Sequence, residues 1–170
     1  MVILFSERKN HTEREIIEIL TSFGGNYISD KKIEKNGELF TIVSEYKKTD
    51  LKIKGGIAII LNATERFKGQ KFPKGITGIC EDINRDAFEL LKKSKIPLIS
   101  CGMNPKSTVT LSSINKDTVS VFLQRIITDI NGNDIEPFEF KIKLKKSYSQ
   151  FSLLSSAVIL LIYGITPKEF

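Results

Sequence analysis

The chain has few of the residues from which metal and redox sites are built. Two cysteines, Cys80 and Cys101, and one histidine, His11, do not make a ligand set, so neither a metal nor a redox role is expected. Each cysteine stands in an apolar, strand-like run, the usual setting of a reduced, buried thiol. No basic segment followed by an apolar stretch opens the chain, and the longest apolar run, Leu153 to Tyr163, is too short to span a bilayer. A cytoplasmic protein without a membrane partner is the expectation. Ser149 to Tyr163 contains no charge, which excludes a membrane-surface helix and favours a helix that closes a core. Nothing reads as a flexible linker, and the 170 residues suffice for one domain, 1–170.

A further lack is local. Val2-Ile3-Leu4-Phe5 followed by Ser6 to Asn10 and then an amphipathic stretch has the layout of a strand, a phosphate loop and a helix, yet the loop contains no glycine. Phosphate loops turn consecutive N–H groups onto one anion, which needs positive φ and an absent Cβ where backbone meets phosphate. Thr12-Glu13-Arg14-Glu15 reads as a capping box in which the Thr12 hydroxyl and the Glu15 carboxylate satisfy the amides a phosphate would use. Glu13 adds negative charge at the positive end of the helix dipole.

What is present describes an α/β protein. Ile16, Ile17, Ile19, Leu20 and Phe23 fall at helical spacing before Gly24-Gly25. Asn36-Gly37 gives a hairpin signal before the strand-like Leu39 to Val43. Gly56 to Leu61 and Gly75 to Cys80 are continuous apolar runs of the kind found in parallel strands covered on both faces. A helix from about Asn84 to Lys93 and a strand at Leu98 to Cys101 complete a strand, helix, strand unit. Thr108 to Ile114, Thr118 to Ile130 and Phe138 to Leu144 read as an antiparallel group, with Asn131-Gly132 among the turns, and Phe151 to Tyr163 as the closing helix. The expected architecture is three layers: a mostly parallel sheet flanked by helices, with an antiparallel β section in the second half.

The net charge of +6 favours weak attraction to anions without defining a site. Lys141, Lys143 and Lys145 alternate with Phe140, Ile142 and Leu144, the pattern of a half-buried strand with a solvated basic face. No aromatic residue interleaves on that face, so nucleic acid is not the expected partner.

In this order the segments resemble the central, ATP-binding domain of the Mur ligase family, a P-loop NTPase-like fold. Setting Leu20 and Gly24 on the family's leucine and glycine after the loop places Phe5-Ser6-Glu7-Arg8-Lys9-Asn10 over Gly-Thr-Asn-Gly-Lys-Thr without a gap. Only Lys9 agrees with a residue that handles phosphate. Phe40 to Glu45 resembles the strand whose glutamate helps hold magnesium, and Ile57 to Asn62 the strand ending in Thr-Asn. Ile79 to Asp82 resembles the Asn-Ala-Asp-Asp strand end, Ile99 to Met103 the Thr-Tyr-Gly-Leu strand, and Tyr148 to Ser152 stands where the family has His-Asn-x-x-Asn. The resemblance covers the central domain alone, with no counterpart of the family's UDP-sugar-binding or closing domains. It implies vestigial nucleotide-binding positions at Arg8, Lys9, Glu45 and Asn62, with no catalytic residue and no metal site.

The expected function is that of a degenerate Mur-ligase-like domain, kept as a binding, scaffolding or regulatory protein. Its expected partner is another protein, a homodimer included, and no cofactor. An atypical ATP-dependent ligase or nucleotide hydrolase, using ATP and magnesium, is the alternative. A basic polyanion-binding module is a third.

Overall fold

A computed structural model describes residues 1–170 except Arg8, Lys9, Ala63 and Thr64. Among the described residues, ten strands form one sheet with the spatial order β12-β9-β8-β7-β6-β5-β1-β4-β2-β3. The central strands are β1 (Val2–Phe5), β2 (Gly25–Ile28), β4 (Phe40–Glu45), β5 (Gly56–Ile60), β6 (Ile76–Glu81) and β7 (Leu98–Cys101), and every neighbouring pair among them is parallel. β8 (Val109–Ile114) joins β7 in parallel, and β9 (Thr118–Leu123) and β12 (Phe138–Lys143) continue the sheet antiparallel. The two-residue β3 (Ile33–Glu34) closes the other edge.

The continuous apolar runs become strands buried on both faces because alternate residues enter different cores. Val2, Leu4, Ile57, Ile59 and Ile79 face one cluster, completed by helices α1 (His11–Ser22) and α3 (Gln150–Ile162). Ile3, Phe5, Ala58, Ile60 and Cys80 face the other, covered by α2 (Arg85–Lys93) and by a 3-10 turn at Glu65–Phe67. The result is the three-layer α/β architecture, with its antiparallel section in the second half. All of α3 from Phe151 to Ile162 is buried, and Gly164 follows with φ 79°. Cys80 and Cys101 are buried free thiols on opposite faces of the sheet, and burial pushes Cys80 up to about 12. Among the described residues no helix is long and apolar enough to cross a membrane.

Three local expectations are corrected. The N-cap of α1 is Asn10, whose side chain accepts from the Thr12 amide, so Thr12 lies inside the helix. Asparagine caps as well as threonine does, and capping by Asn10 starts the helix two residues earlier. The hairpin in the 25–45 region joins β2 to β3 around Ser29, whose hydroxyl accepts from Lys31 and Lys32. Asn36-Gly37 instead leads into β4, which pairs in parallel with β1 and β2; the Asn36 and Gly37 amides donate to the Asn26 side chain. Finally, the long strand expected over Thr118 to Ile130 breaks after Leu123. Ile127–Thr128 (β10) pairs with Asp134–Ile135 (β11) as a separate ribbon across the Asn131-Gly132 turn, where Asp129 accepts from the Asn131 and Asn133 amides. The half-buried reading of β12 holds: Lys141 and Lys143 are exposed and Ile142 is buried.

Candidate functional site

Parallel α/β sheets place ligands at the carboxyl ends of their strands. Here β1 lies between β4 and β5, with Phe5 level with Glu45 on one side and Ile60 on the other. Glu45 and Asn62 therefore stand at the same end of the sheet, flanking the segment that follows β1. Arg8 and Lys9, the other two candidate positions, lie outside the described residues.

Both described candidates are engaged by the chain itself. The Asn62 side-chain oxygen accepts from the Glu7 amide at 3.3 Å and from the Asn10 side-chain amide at 2.9 Å, tying the segment after β1 to the end of β5. Asn10 in turn caps α1. Glu45 accepts from the Thr49 hydroxyl at 2.8 Å, and its carbonyl accepts from the Ser6 amide at 3.1 Å.

The centre of this end is a carboxylate that the sequence reading did not select for a site. Glu13, in the first turn of α1, is 4% exposed, and its two oxygens accept from the hydroxyls of Ser6 and Ser44, each at 2.5 Å. Tyr27 reaches the same Ser44 hydroxyl at 3.1 Å. Burial, and next the charge of Glu13, push the Tyr46 hydroxyl well above its ordinary value. A negative side chain thus occupies the position where the dipole of α1 favours an anion. No spacing rule announces it, because Ser44 is contributed by a strand 31 residues away.

Glu15 departs from the capping-box expectation. It accepts from the Ser149 amide and the Ser152 hydroxyl at the start of α3, with His11 of its own helix 3.6 Å away. Burial alone would raise its carboxyl, but the hydrogen bonds from Ser149 and Ser152 outweigh that and hold it below the ordinary carboxylate range. Glu15 therefore joins α1 to α3 by capping the second helix with a residue of the first.

A second cluster lies at the ends of β6 and β7. The Asp82 carboxylate accepts from the Asn104 amide at 2.9 Å and the Ser107 hydroxyl at 2.8 Å, fixing the β7–β8 connection. Gly102 passes so close that a Cβ there would lie 2.0 Å from the Asp82 carboxyl carbon. Glu81 beside it is raised, chiefly by burial and next by Asp82. Glu81, Asp82, Met103, Gln150 and Phe151 line a cavity of about 340 Å³, and the buried Gln150 Nε2 has no hydrogen-bond partner among the described residues. The structure therefore gathers around one cavity three segments that the resemblance had matched separately: the Glu81-Asp82 strand end, the Cys101-Gly102-Met103 strand end and the Gln150 segment. Among the described residues no group of histidine, cysteine, aspartate and glutamate is arranged to hold a metal ion.

No family model matches the sequence, and no curated protein matches it. Solved structures do match. A murein peptide ligase from Psychrobacter arcticus 273-4 superimposes with a TM-score of 0.60 at 12% identity, over 98% of this chain and 44% of that one. The UDP-N-acetylmuramate:L-alanyl-gamma-D-glutamyl-meso-diaminopimelate ligase from Neisseria meningitides does so with a TM-score of 0.61 at 10% identity, over 99% and 62%. The chain thus spans about half the length of these ligases, and at such identities the likeness is one of fold. The fold of this chain is Mur-ligase-like over nearly its whole length.

Proposed function

We propose that this chain is a Mur-ligase-like domain that has given up phosphoryl transfer and serves as a binding, scaffolding or regulatory protein, linked to cell-wall precursor metabolism. The observation that carries the reading is the Glu13 carboxylate, buried between Ser6 and Ser44 at the head of α1. Phosphoryl transfer depends on positioning and on positive charge around the phosphates. Among the described residues, the head of α1 holds a buried anion, and Asn62 and Asn10 spend their polar atoms on the segment after β1. The ligand of such a scaffold is a protein, a second copy of the chain included.

Thermal unfolding with magnesium and millimolar ATP or GTP tests this. A ligand present at a hundredfold excess over its Kd stabilises a protein by about 2.7 kcal/mol. For a chain of this size that is a rise of roughly 5 to 10 °C in Tm. The proposal expects no rise with either nucleotide. A saturable rise that depends on magnesium refutes it.

One observation favours the second reading, an atypical ATP-dependent ligase. The cavity beside Asp82 has a Gln150 amide nitrogen without a partner among the described residues, as a site for a polar ligand would. Under that reading ATP stabilises the protein and Gln150→Leu abolishes the effect.

A further inference from the structure

The positive charge of this protein is concentrated in one stretch. Residues 47–74 contain eight cations, Lys47, Lys48, Lys52, Lys54, Arg66, Lys68, Lys71 and Lys74, against Asp50 and Glu65. The rest of the chain holds eighteen cations and eighteen carboxylates, so the entire excess of +6 belongs to this stretch.

The fold turns that stretch into a surface. Residues 46–55 and 65–75 form two straps that lead to the starts of β5 and β6, crossing the face that α2 also covers. Their apolar side chains point inward: Leu51, Ile53 and Phe72 pack on the buried cluster that contains Phe67, with Phe5 and Phe72 rings 5.6 Å apart. The straps lie side by side. Buried Gln70 accepts from the Thr49 amide and donates to the Thr49 carbonyl, and further along the Gly56 amide donates to the Gly75 carbonyl. All eight cations are exposed on the outside. Lys52 is paired with Asp50 and Lys68 with Glu65, both exposed; the other six have no ion pair among the described residues. Across the sheet, Glu13 and Glu15 of α1 are buried in hydrogen bonds and Glu18 is paired with Lys146.

We infer that the strap face binds the phosphate backbone of double-stranded nucleic acid without reading its sequence. The basic face formed by Lys141 and Lys143 lies on β12 at one edge of the sheet, away from this surface. Charge complementarity supplies the attraction. Among the described residues, none of the large exposed apolar side chains falls within 47–74, so this face offers little to bury in a bilayer. Phe67 and Phe72 are turned into the core and unavailable for stacking on bases, which favours a duplex over a single strand.

The test is fluorescence anisotropy of the whole chain with a labelled 24-base-pair duplex, from low to physiological salt. If three or four phosphates are neutralised, log K falls against log salt with a slope of about −3 to −4. Lys52→Glu/Lys71→Glu, both at exposed positions, should weaken binding more than tenfold and flatten the slope by about 2, whereas Lys141→Glu/Lys143→Glu should stay within about twofold of the unmodified protein. Circular dichroism of each variant confirms that it is folded. No binding at the lowest salt overturns the inference, as does equal loss in both pairs of variants. Strap-dependent binding to phosphatidylserine vesicles without duplex binding also overturns it, in favour of a bilayer, and tighter binding of a single strand overturns the choice of duplex.

Discussion

Replacing Glu13 tests whether the buried carboxylate organises the end of the sheet. In Glu13→Ala the Ser6 hydroxyl, 1% exposed, loses its acceptor, and Ser44, 6% exposed, loses its bond to the carboxylate while keeping Tyr27. Hydrogen bonds to a charged group contribute about 1.5–3 kcal/mol each. Removing a buried charge returns part of that, because burial of the carboxylate is itself costly. The net loss is about 2–4 kcal/mol, or roughly 4 to 16 °C in Tm for a chain of this length. Urea unfolding followed by circular dichroism should show a lower midpoint at unchanged slope, the mark of a stability change without a change in compactness. Glu13→Gln keeps the shape and an acceptor, and should lose about 1 kcal/mol. A Glu13→Ala protein within about 0.5 kcal/mol of the original would refute the reasoning, since that is the range of a neutral surface change. So would a Glu13→Gln protein more stable than the original, because the charge would then cost more than its bonds return.

Two further outcomes follow from the same geometry. Glu15 is held below its ordinary value by the start of α3, so its contribution is complete above the unfolded carboxyl value of about 4.3 and disappears as pH falls through the lower folded value. Glu15→Gln should therefore be about 1–2 kcal/mol less stable than the original at pH 7, and the difference should close below about pH 4 in unfolding curves across that range; a difference independent of pH would contradict the assignment. Gly102→Ala places a methyl group against the Asp82 carboxyl and should cost about 2–4 kcal/mol through the lost Asn104 and Ser107 bonds, read from the urea midpoint. A neutral Gly102→Ala would show that the loop accommodates the group by moving.

Much of the fold was legible because its central strands are parallel and buried on both faces, which leaves unbroken apolar runs at Gly56 to Leu61 and Gly75 to Cys80. The buried α3 was legible for a related reason, since a run without charge has few alternatives to a core. Asn36-Gly37 misled because its strong local turn preference was absorbed by a loop, while the pairing of β4 with β1 and β2 decided the topology. Asn10 and Thr12 are both good caps, and local chemistry does not choose between them. Glu45 and Asn62 come from the resemblance of their strand ends, and the strand pairing puts both at the carboxyl end of the sheet. Glu13 was legible as a negative charge at the head of α1, but its bonds to Ser6 and Ser44 depend on a contact between distant segments. Asp82 and Gln150 were legible only as separate matches, because the cavity that joins them is made by β6, β7 and α3 together.

The most direct test of the central claim is a crystal of the protein soaked with magnesium and a non-hydrolysable ATP analogue, read for density around residues 5–10 and beside Glu13. The account predicts no triphosphate there and a Glu13 carboxylate still bonded to Ser6 and Ser44. Ordered phosphates and a metal ion seated at the head of α1, with Glu13 displaced, would contradict it.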